Sequence, residues 1–313
     1  MGRKRKGLPI TGWLVIDKPL GITSNDVVTR VRRSTGAAKV GHGGTLDPLA
    51  TGVLPIALGE ATKTVSYAMD GTKQYRFHIT FGEARETDDA EGAVTKTSDV
   101  RPDKAAIEAV LPQFIGPIQQ TPPIYSAIKV QGKRAYELAR NDQEVVLEPR
   151  TINIIDLTLV DMPDADTAVF DCTSGKGAYM RALARDIALA CGTVGYISVL
   201  RRTAVGPFTE SDAISLDHPA FDQVNPALDK VLRPVETVLA DIPALALTET
   251  EANRLRNGQP VPMLPVAQRC GDWTAEQGDI VSAMAGGRMV ALARIAGAEI
   301  QPVRIIHHET PNP

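Results

Sequence analysis

Three cysteines in 313 residues, Cys172, Cys191 and Cys270, are widely spaced and odd in number, with no CxxC pair among them. That excludes a disulfide framework and argues against a zinc site, so the three read as reduced core thiols. Histidine is equally sparse: His42, His78, His218 and the adjacent His307 and His308 form no spaced ligand motif, and no metal is expected. Long apolar runs are missing too. No stretch approaches the roughly 18 uncharged apolar residues of a membrane span. The basic start is followed by no apolar run, which leads to the expectation of a cytoplasmic chain that meets no membrane. Also absent are GxxxxGK(S/T) and any GxGxxG opening a helix, which sets nucleotide hydrolysis aside. No GxSxG elbow supports a hydrolase built on His42, Asp47 and a serine.

What is present describes a folded protein with an uneven charge distribution. Hydrophobic residues at 43% and charged residues at 23% set disordered and fibrous classes aside. The length exceeds what one core usually supports, so one large domain and a smaller one are expected. The net charge is −3, yet the first 40 residues carry nine basic side chains (Arg3, Lys4, Arg5, Lys6, Lys18, Arg30, Arg32, Arg33, Lys39) against Asp17 and Asp26. Such a patch can neutralise phosphates while the rest of the molecule stays acidic. For Arg3 to Lys6 taken alone, a solvated tail over residues 1–10 is an equal reading.

Periodicity places the elements. Trp13 to Asp17 is a short buried strand that stops at Lys18-Pro19. Ser24 is the expected N-cap of a helix to Arg33, with Val27, Val28 and Val31 on one side and Arg30, Arg32 and Arg33 largely on another, a basic face for RNA. Residues 74–82 alternate strictly, with Tyr75, Phe77, Ile79 and Phe81 on one face. The acid-rich segment Glu83 to Asp103 reads as an exposed connection, after which Pro102-Asp103 opens a helix to about Leu111. Gln120 to Ser126 is an extended proline loop, Lys133 to Arg140 a short helix, and Thr151 to Val160 and Ala168 to Thr173 are strands. A helix then runs from Tyr179 to Cys191, closed by Gly192. Without a regular βαβ beat, the fold class is α+β around a mixed, largely antiparallel sheet. From Asp241 the texture changes to short apolar strands punctuated by glycine, with one helix over Thr248 to Asn257. The expected division is 1–237 and 238–313, with a linker near 235–243.

The densest segment is Val40-Gly-His-Gly-Gly-Thr-Leu-Asp-Pro-Leu-Ala-Thr-Gly-Val-Leu-Pro55, where four glycines surround one histidine and one carboxylate. Glycines let the backbone take positive φ and let a ligand come close, so this loop is suited to contact more than to core packing. An isolated Asp47-Pro48 pair would otherwise be an ordinary turn initiator. The run resembles the GH-x-GTLDP-x-A-x-GVL signature of the bacterial tRNA pseudouridine 55 synthase family. Further blocks resemble it in the same order: Asp17-Lys18-Pro19 with Gly21, Thr23 and Ser24; Lys73 to Phe77; Pro122 to Arg140; Ser174 to Arg181; and Leu200-Arg201-Arg202. Together they span about residues 11–210. Two departures are Gly43, where many members carry Thr or Ala, and the residue separating Ser174 from Lys176.

The resemblance implies a pseudouridine synthase fold and the isomerisation of uridine 55 in the T loop of tRNA. Asp47 would be the nucleophile, Tyr75 the ring under a flipped uracil and a proton relay, and Arg181 the cation that keeps Asp47 charged through a bidentate pair. Tyr179 and Leu200 would line the pocket, His42 would take the place of the extruded base, and Lys18 would contact substrate. Taken alone, Tyr75 reads as core, Arg181 as a helix-surface charge like Arg185, and His42 as a loop histidine. Breaking C1′–N1 and rejoining through C5 consumes nothing, so no cofactor is expected. The C-terminal module resembles a PUA-like RNA-binding domain through Leu255, Gly258, Gln259 and Val261. A monomer acting on the T arm, with no obligate protein partner, is the expectation. An RNA-binding protein that has lost turnover and an RNA-guided relative are the competing readings.

Overall fold

The computed structural model describes residues 7–126, 128–130, 132–139, 141, 145–221, 227–271 and 275–307. Arg3 to Lys6, Arg140 and His308 lie outside the described residues. In chain order the elements are β1 (Gly12–Lys18), α1 (Ser24–Thr35), β2 (Val40–His42), β3 (Ala50–Leu58), α2 (Val65–Asp70), β4 (Lys73–Phe81), β5 (Glu83–Arg85) and β6 (Val94–Thr97). Then follow α3 (Lys104–Val110), β7 (Gly116–Gln120), β8 (Lys129–Val130), β9 (Lys133–Arg134), α4 (Ala135–Ala139), β10 (Arg150–Asp161), β11 (Thr167–Ser174), α5 (Met180–Ala190), β12 (Gly195–Val205) and β13 (Phe208–Thr209). The last are α6 (Ala227–Val231), β14 (Ala244–Ala246), α7 (Glu249–Arg256), β15 (Val261–Pro262), α8 (Met263–Arg269), β16 (Ile280–Ala285), β17 (Arg288–Ala296) and β18 (Glu299–Ile305).

The fold is α+β, as the sequence pattern implies. A nine-stranded sheet runs in the order β1-β3-β12-β4-β11-β10-β7, with β2 on β3 and β13 on β12. Its pairings are antiparallel except β3 against β12, where Leu200, Arg201 and Arg202 lie beside Ala50, Thr51 and Gly52. This parallel contact sets the Leu200-Arg201-Arg202 segment against the start of β3, directly after the Asp47 loop. One face of the sheet forms the main core, in which Leu14, Leu54, Ile56, Phe77 and Phe170 meet Leu183 and Ile187 of α5. Among the described residues, no helix is long and apolar enough to cross a membrane.

Several local expectations change in the folded chain. Thr23, not Ser24, caps α1: its Oγ1 accepts from the Asp26 amide at 3.1 Å, and Asp26 Oδ2 accepts from the Thr23 amide at 2.9 Å. Asp26 at the third helical position completes this reciprocal pair and displaces the cap by one residue. Ser24 is thereby buried inside the first turn and freed for another task. The helix expected over Lys133 to Arg140 begins at Ala135, because Lys133–Arg134 pair with Lys129–Val130. The connection Glu83 to Asp103 contains the β5–β6 hairpin, and Asp89 in its turn is only 7% exposed.

The second sheet runs β14-β16-β17-β18-β15 around its own core of Leu255, Val261, Val281, Ala291 and Ile300. The stretch expected as a linker is anchored at two buried positions, while Ala240 and Asp241 are exposed. Val235 and Leu239 join a seam in which Trp13, Val15, Val53 and Ala57 of β1 and β3 pack against Met289, Leu292 and Ile306. Apolar side chains at both positions leave water there, as their transfer free energy dictates.

Candidate active site

The Asp47 loop, residues 43–49, carries no regular ladder, so its carbonyls need partners from elsewhere. Two buried cations, Lys18 and Arg202, supply three of them, and a third, Arg181, bonds the Asp47 side chain. Lys18, with none of its surface exposed, donates from Nζ to the carbonyls of Pro19 (2.9 Å), Ile22 (2.8 Å) and Pro48 (3.2 Å). Arg202 donates from Nε to Val53 O (2.8 Å), from Nη1 to Thr45 O (3.3 Å) and from Nη2 to Gly44 O (3.1 Å). Arg181 reaches in from the start of α5. Ser24 adds a fourth tie, its Oγ donating to Leu46 O (3.0 Å) and accepting from Leu46 N (2.8 Å).

Two glycines show how closely this wall is packed. Gly52 has φ +98°, and a Cβ there would fall 2.2 Å from the Arg202 carbonyl oxygen, so only glycine lets β3 meet β12 at this point. A Cβ on Gly43 would lie 3.1 Å from Ala68 Cβ and 3.3 Å from the Trp13 ring. The departure at Gly43 thus matches tight local packing.

Arg181 and Asp47 meet across 134 positions of sequence, with Nε 2.9 Å from Oδ2. The pair has a single hydrogen bond where a bidentate one was expected, because Nη1 and Nη2 are taken by the carbonyls of Thr87 (2.8 Å) and Tyr125 (2.8 Å). The Arg181 side chain is 5% exposed and that of Asp47 36%, so the carboxylate fronts the opening and the guanidinium stands behind it. Asp47, Leu49, Ala50, Asp89, Arg181 and Leu200 line this small cleft. Asp89 Oδ2 lies 3.7 Å from Arg181 Nε.

The remaining expected residues are distributed around this centre. Tyr75 sits on β4 between Cys172 of β11 and Arg202 of β12, half-buried against the main core. Burial pushes its phenol up, with the Arg202 guanidinium opposing. Tyr179 precedes α5 and is fixed through its backbone: its amide donates to Gln120 Oε1 (2.8 Å) and its carbonyl accepts from Gln120 Nε2 (3.2 Å). Burial pushes the Tyr179 phenol up as well. His42 lies in a neighbouring groove with Arg32, Lys39, Gly41, Thr62 and Val65, separate from the Asp47 cleft. Its pKa is lowered by burial and then by Arg202, and its Nδ1 is buried without a partner among the described residues. Lys18, expected as a substrate contact, is buried beside the Asp47 loop. Its ammonium donates to the carbonyls of Pro19, Ile22 and Pro48, and burial lowers its pKa to about 8, with Asp47 opposing.

Asp89, Arg202 and the carbonyls of Thr87 and Tyr125 were not expected at the site from sequence, and Ser24 was expected only as a helix cap. Arg202 stands in a quoted block and could have been found there. An acid in the sequence Glu-Thr-Asp-Asp-Ala-Glu reads as solvent-facing by composition, and carbonyl acceptors carry no signal in residue identity.

Comparison with known proteins places this geometry. Residues 32–180 match the TruB family pseudouridylate synthase N-terminal domain, and residues 181–240 match the tRNA pseudouridylate synthase B C-terminal domain. The tRNA pseudouridine synthase B of Rhodospirillum rubrum is 58% identical over 98% of this chain and 100% of that protein. The protein of the same name from Gluconacetobacter diazotrophicus is 56% identical over 97% and 100%. Among solved structures, an H/ACA RNP bound to a substrate RNA containing 2′-deoxyuridine shares the fold, with a TM-score of 0.73 at 22% identity over 100% of this chain and 93% of that one. The same fold recurs in a Cbf5-Nop10-Gar1 complex, at 0.72 and 24% over 98% and 91%. With matches contiguous from residue 32 to 240 and relatives alike along nearly their whole length, the chain belongs to the TruB family of pseudouridylate synthases.

Proposed function

We propose that the chain converts uridine 55 in the T loop of tRNA to pseudouridine, with Asp47 as nucleophile, acting in the cytoplasm as a monomer with no obligate protein partner. The names of the curated relatives support the tRNA substrate. The observation that carries the mechanism is the single contact between Arg181 and Asp47. It occupies Oδ2, and among the described residues Oδ1 accepts no hydrogen bond, which leaves one carboxylate oxygen for an incoming sugar carbon.

The chemistry follows from that oxygen. Oδ1 attacks C1′ of a uridine swung out of its stack, and the C1′–N1 electron pair leaves with the uracil. The base turns, C5 attacks C1′ and displaces the carboxylate. The C5 proton is then lost, with Tyr75 as relay, while N1 takes up a proton. Atoms and charge balance, and no oxidant or reductant enters. Arg181 stands behind the carboxylate throughout, a fixed and buried cation. Tyr75, Tyr179 and Leu200 would flank the uracil. His42 would fill the place of the extruded base, which offsets an unstacking cost of a few kcal/mol. Residues 238–313 would act as a PUA-like module that grips the RNA by shape.

The test is release of tritium from tRNA labelled at uracil C5. Wild-type protein on a bare transcript should release it without added RNA or protein, and Asp47→Asn should lose more than about 10³-fold in rate with an unchanged melting temperature. Equal rates in the two proteins would remove Asp47 from the mechanism. Binding without turnover in the wild type would favour an RNA-binding role.

A further inference from the structure

Arg181 has a neighbour one turn along α5 that grips the same two segments. Arg185 Nη1 donates to Asp88 Oδ2 at 2.9 Å, Nη2 to Thr121 O at 2.9 Å and Nε to Asp186 Oδ1 at 2.9 Å. Residues four apart on a helix share a face. Arg181 therefore holds Thr87 and Tyr125, and Arg185 holds the adjacent Asp88 and the start of the same proline loop.

The turn they hold is strained. Asp88 has φ +59°, and among the described residues no other non-glycine has positive φ. Aspartate tolerates this left-handed region better than most residues, yet the conformation is unfavourable and persists only where contacts over-determine it. Those contacts are present. Asp88 N donates to Arg85 O at 3.0 Å, Asp88 O accepts from Ile197 N at 3.1 Å, and the carboxylate is fixed by Arg185. The result aims the Thr87 carbonyl at Arg181 Nη1 and sets Asp89 Oδ2 3.7 Å from Arg181 Nε.

We infer that Asp88 and Arg185 form a positioning pair: their ion pair fixes the 87–89 turn, which orients the Arg181 guanidinium so that Nε faces Asp47. Neither residue contacts the reacting atoms. Without the pair the Thr87 carbonyl drifts, Arg181 loses a fixed acceptor, and Asp47 loses its orientation toward C1′. This rests on the reading of Asp47 and Arg181 given above.

The experiment uses the full chain, C5-tritiated tRNA transcript, and three variants. Glycine adopts positive φ without strain, so Asp88→Gly removes the carboxylate while relieving the backbone. Its melting temperature should hold or rise, its kcat should fall roughly ten- to hundredfold, and its KM should stay near the wild-type value. Arg185→Met should lower kcat to a similar extent, and the double variant should be no slower than the slower single one. A purely structural pair could not lower kcat in a protein of undiminished stability. Wild-type kcat in Asp88→Gly would overturn the inference, as would a rise in KM alone, which would mark an RNA contact. Asp47→Asn, run alongside, separates the two claims: if it retains turnover the mechanism fails, and if it is inactive while Asp88→Gly is unimpaired only the positioning role fails.

Discussion

The Asp47 loop and the seam between the two sheets both adjoin strand β3, and opposite physics holds them. Around the loop, Lys18, Arg181 and Arg202 are buried and direct their hydrogens at eight backbone carbonyls. Across the seam, the apolar side chains of Val53 and Ala57 meet Met289, Leu292 and Ile306, with Lys63 Nζ donating to Ile305 O (2.6 Å) and His307 N to Glu60 Oε2 (2.9 Å) beside them. On the first sheet's side of it, Trp13 and Phe208 pack ring to ring at 5.6 Å. The seam gains free energy from each apolar group it shields. The loop gains geometry: burying a cation is costly, and the cost is offset only where every donor finds an acceptor. A backbone that must present one carboxylate without ladder bonds to hold it needs that second kind of support.

The largest effect should come from breaking the seam. Leu292 is 1% exposed and stands on the second sheet, well away from the Asp47 cleft. Leu292→Ala should cost about 2–5 kcal/mol of stability through lost transfer energy and the cavity left behind. Calorimetry should show a single transition moving down in temperature, while turnover per folded molecule is retained. Two separate transitions, with only one displaced, would mean that the sheets unfold independently and that the seam stabilises neither.

How much of this was legible in the sequence differs between the two regions. Trp13, Leu14, Val15 and Ile16 are all apolar, and a strand without alternation is one covered on both faces. The burial of β1 was therefore readable, but not what covered its second face, since that cover includes Phe208, Val235, Met289, Leu292 and Ile306, far along the chain. At the loop, Asp47 and Arg181 were readable because their blocks match a family signature. Asp88 and Asp89 were not, because local composition cannot show that two arginines of a distant helix neutralise an acidic turn. The cap at Thr23 was missed by one residue, since Thr and Ser cap comparably and only the reach of Asp26 decides between them.

A smaller effect should appear in the pH dependence of stability. Burial depresses the Lys18 pKa from 10.5 to about 8. Between those values the unfolded chain holds a proton that the folded chain has given up, so folding is favoured as pH rises through that window. Below pH 8 the amine is charged in both states and the full cost of burying it remains. The gain is at most about 1.4 kcal/mol per pH unit. Cys172, pushed up to about 12, works in the opposite sense above pH 9, so the informative quantity is the difference from Lys18→Met between pH 8 and 9. The wild-type melting temperature should rise relative to the variant's over that unit. Parallel curves would show that the loop's lysine is held at no electrostatic cost, and the contrast with the seam would weaken.

The smallest effect concerns charges on the same sheet that lie in neither region. Arg76 of β4 and Asp171 of β11 face each other in register, bonded at 2.8 Å and 2.6 Å, with about half of each side chain in solvent. They lie on the face opposite the main core, where Arg76 alternates with Tyr75 and Phe77. Water screens this pair as it cannot screen Arg181, and two long side chains lose freedom in forming it. A double-mutant cycle with Arg76→Ala and Asp171→Ala should give a coupling below about 1 kcal/mol that shrinks with added salt. A larger, salt-insensitive coupling would mean that an exposed pair is held as firmly as the buried cations. Burial would then not be what distinguishes the Asp47 loop, and its rigidity would have to come from hydrogen-bond geometry alone.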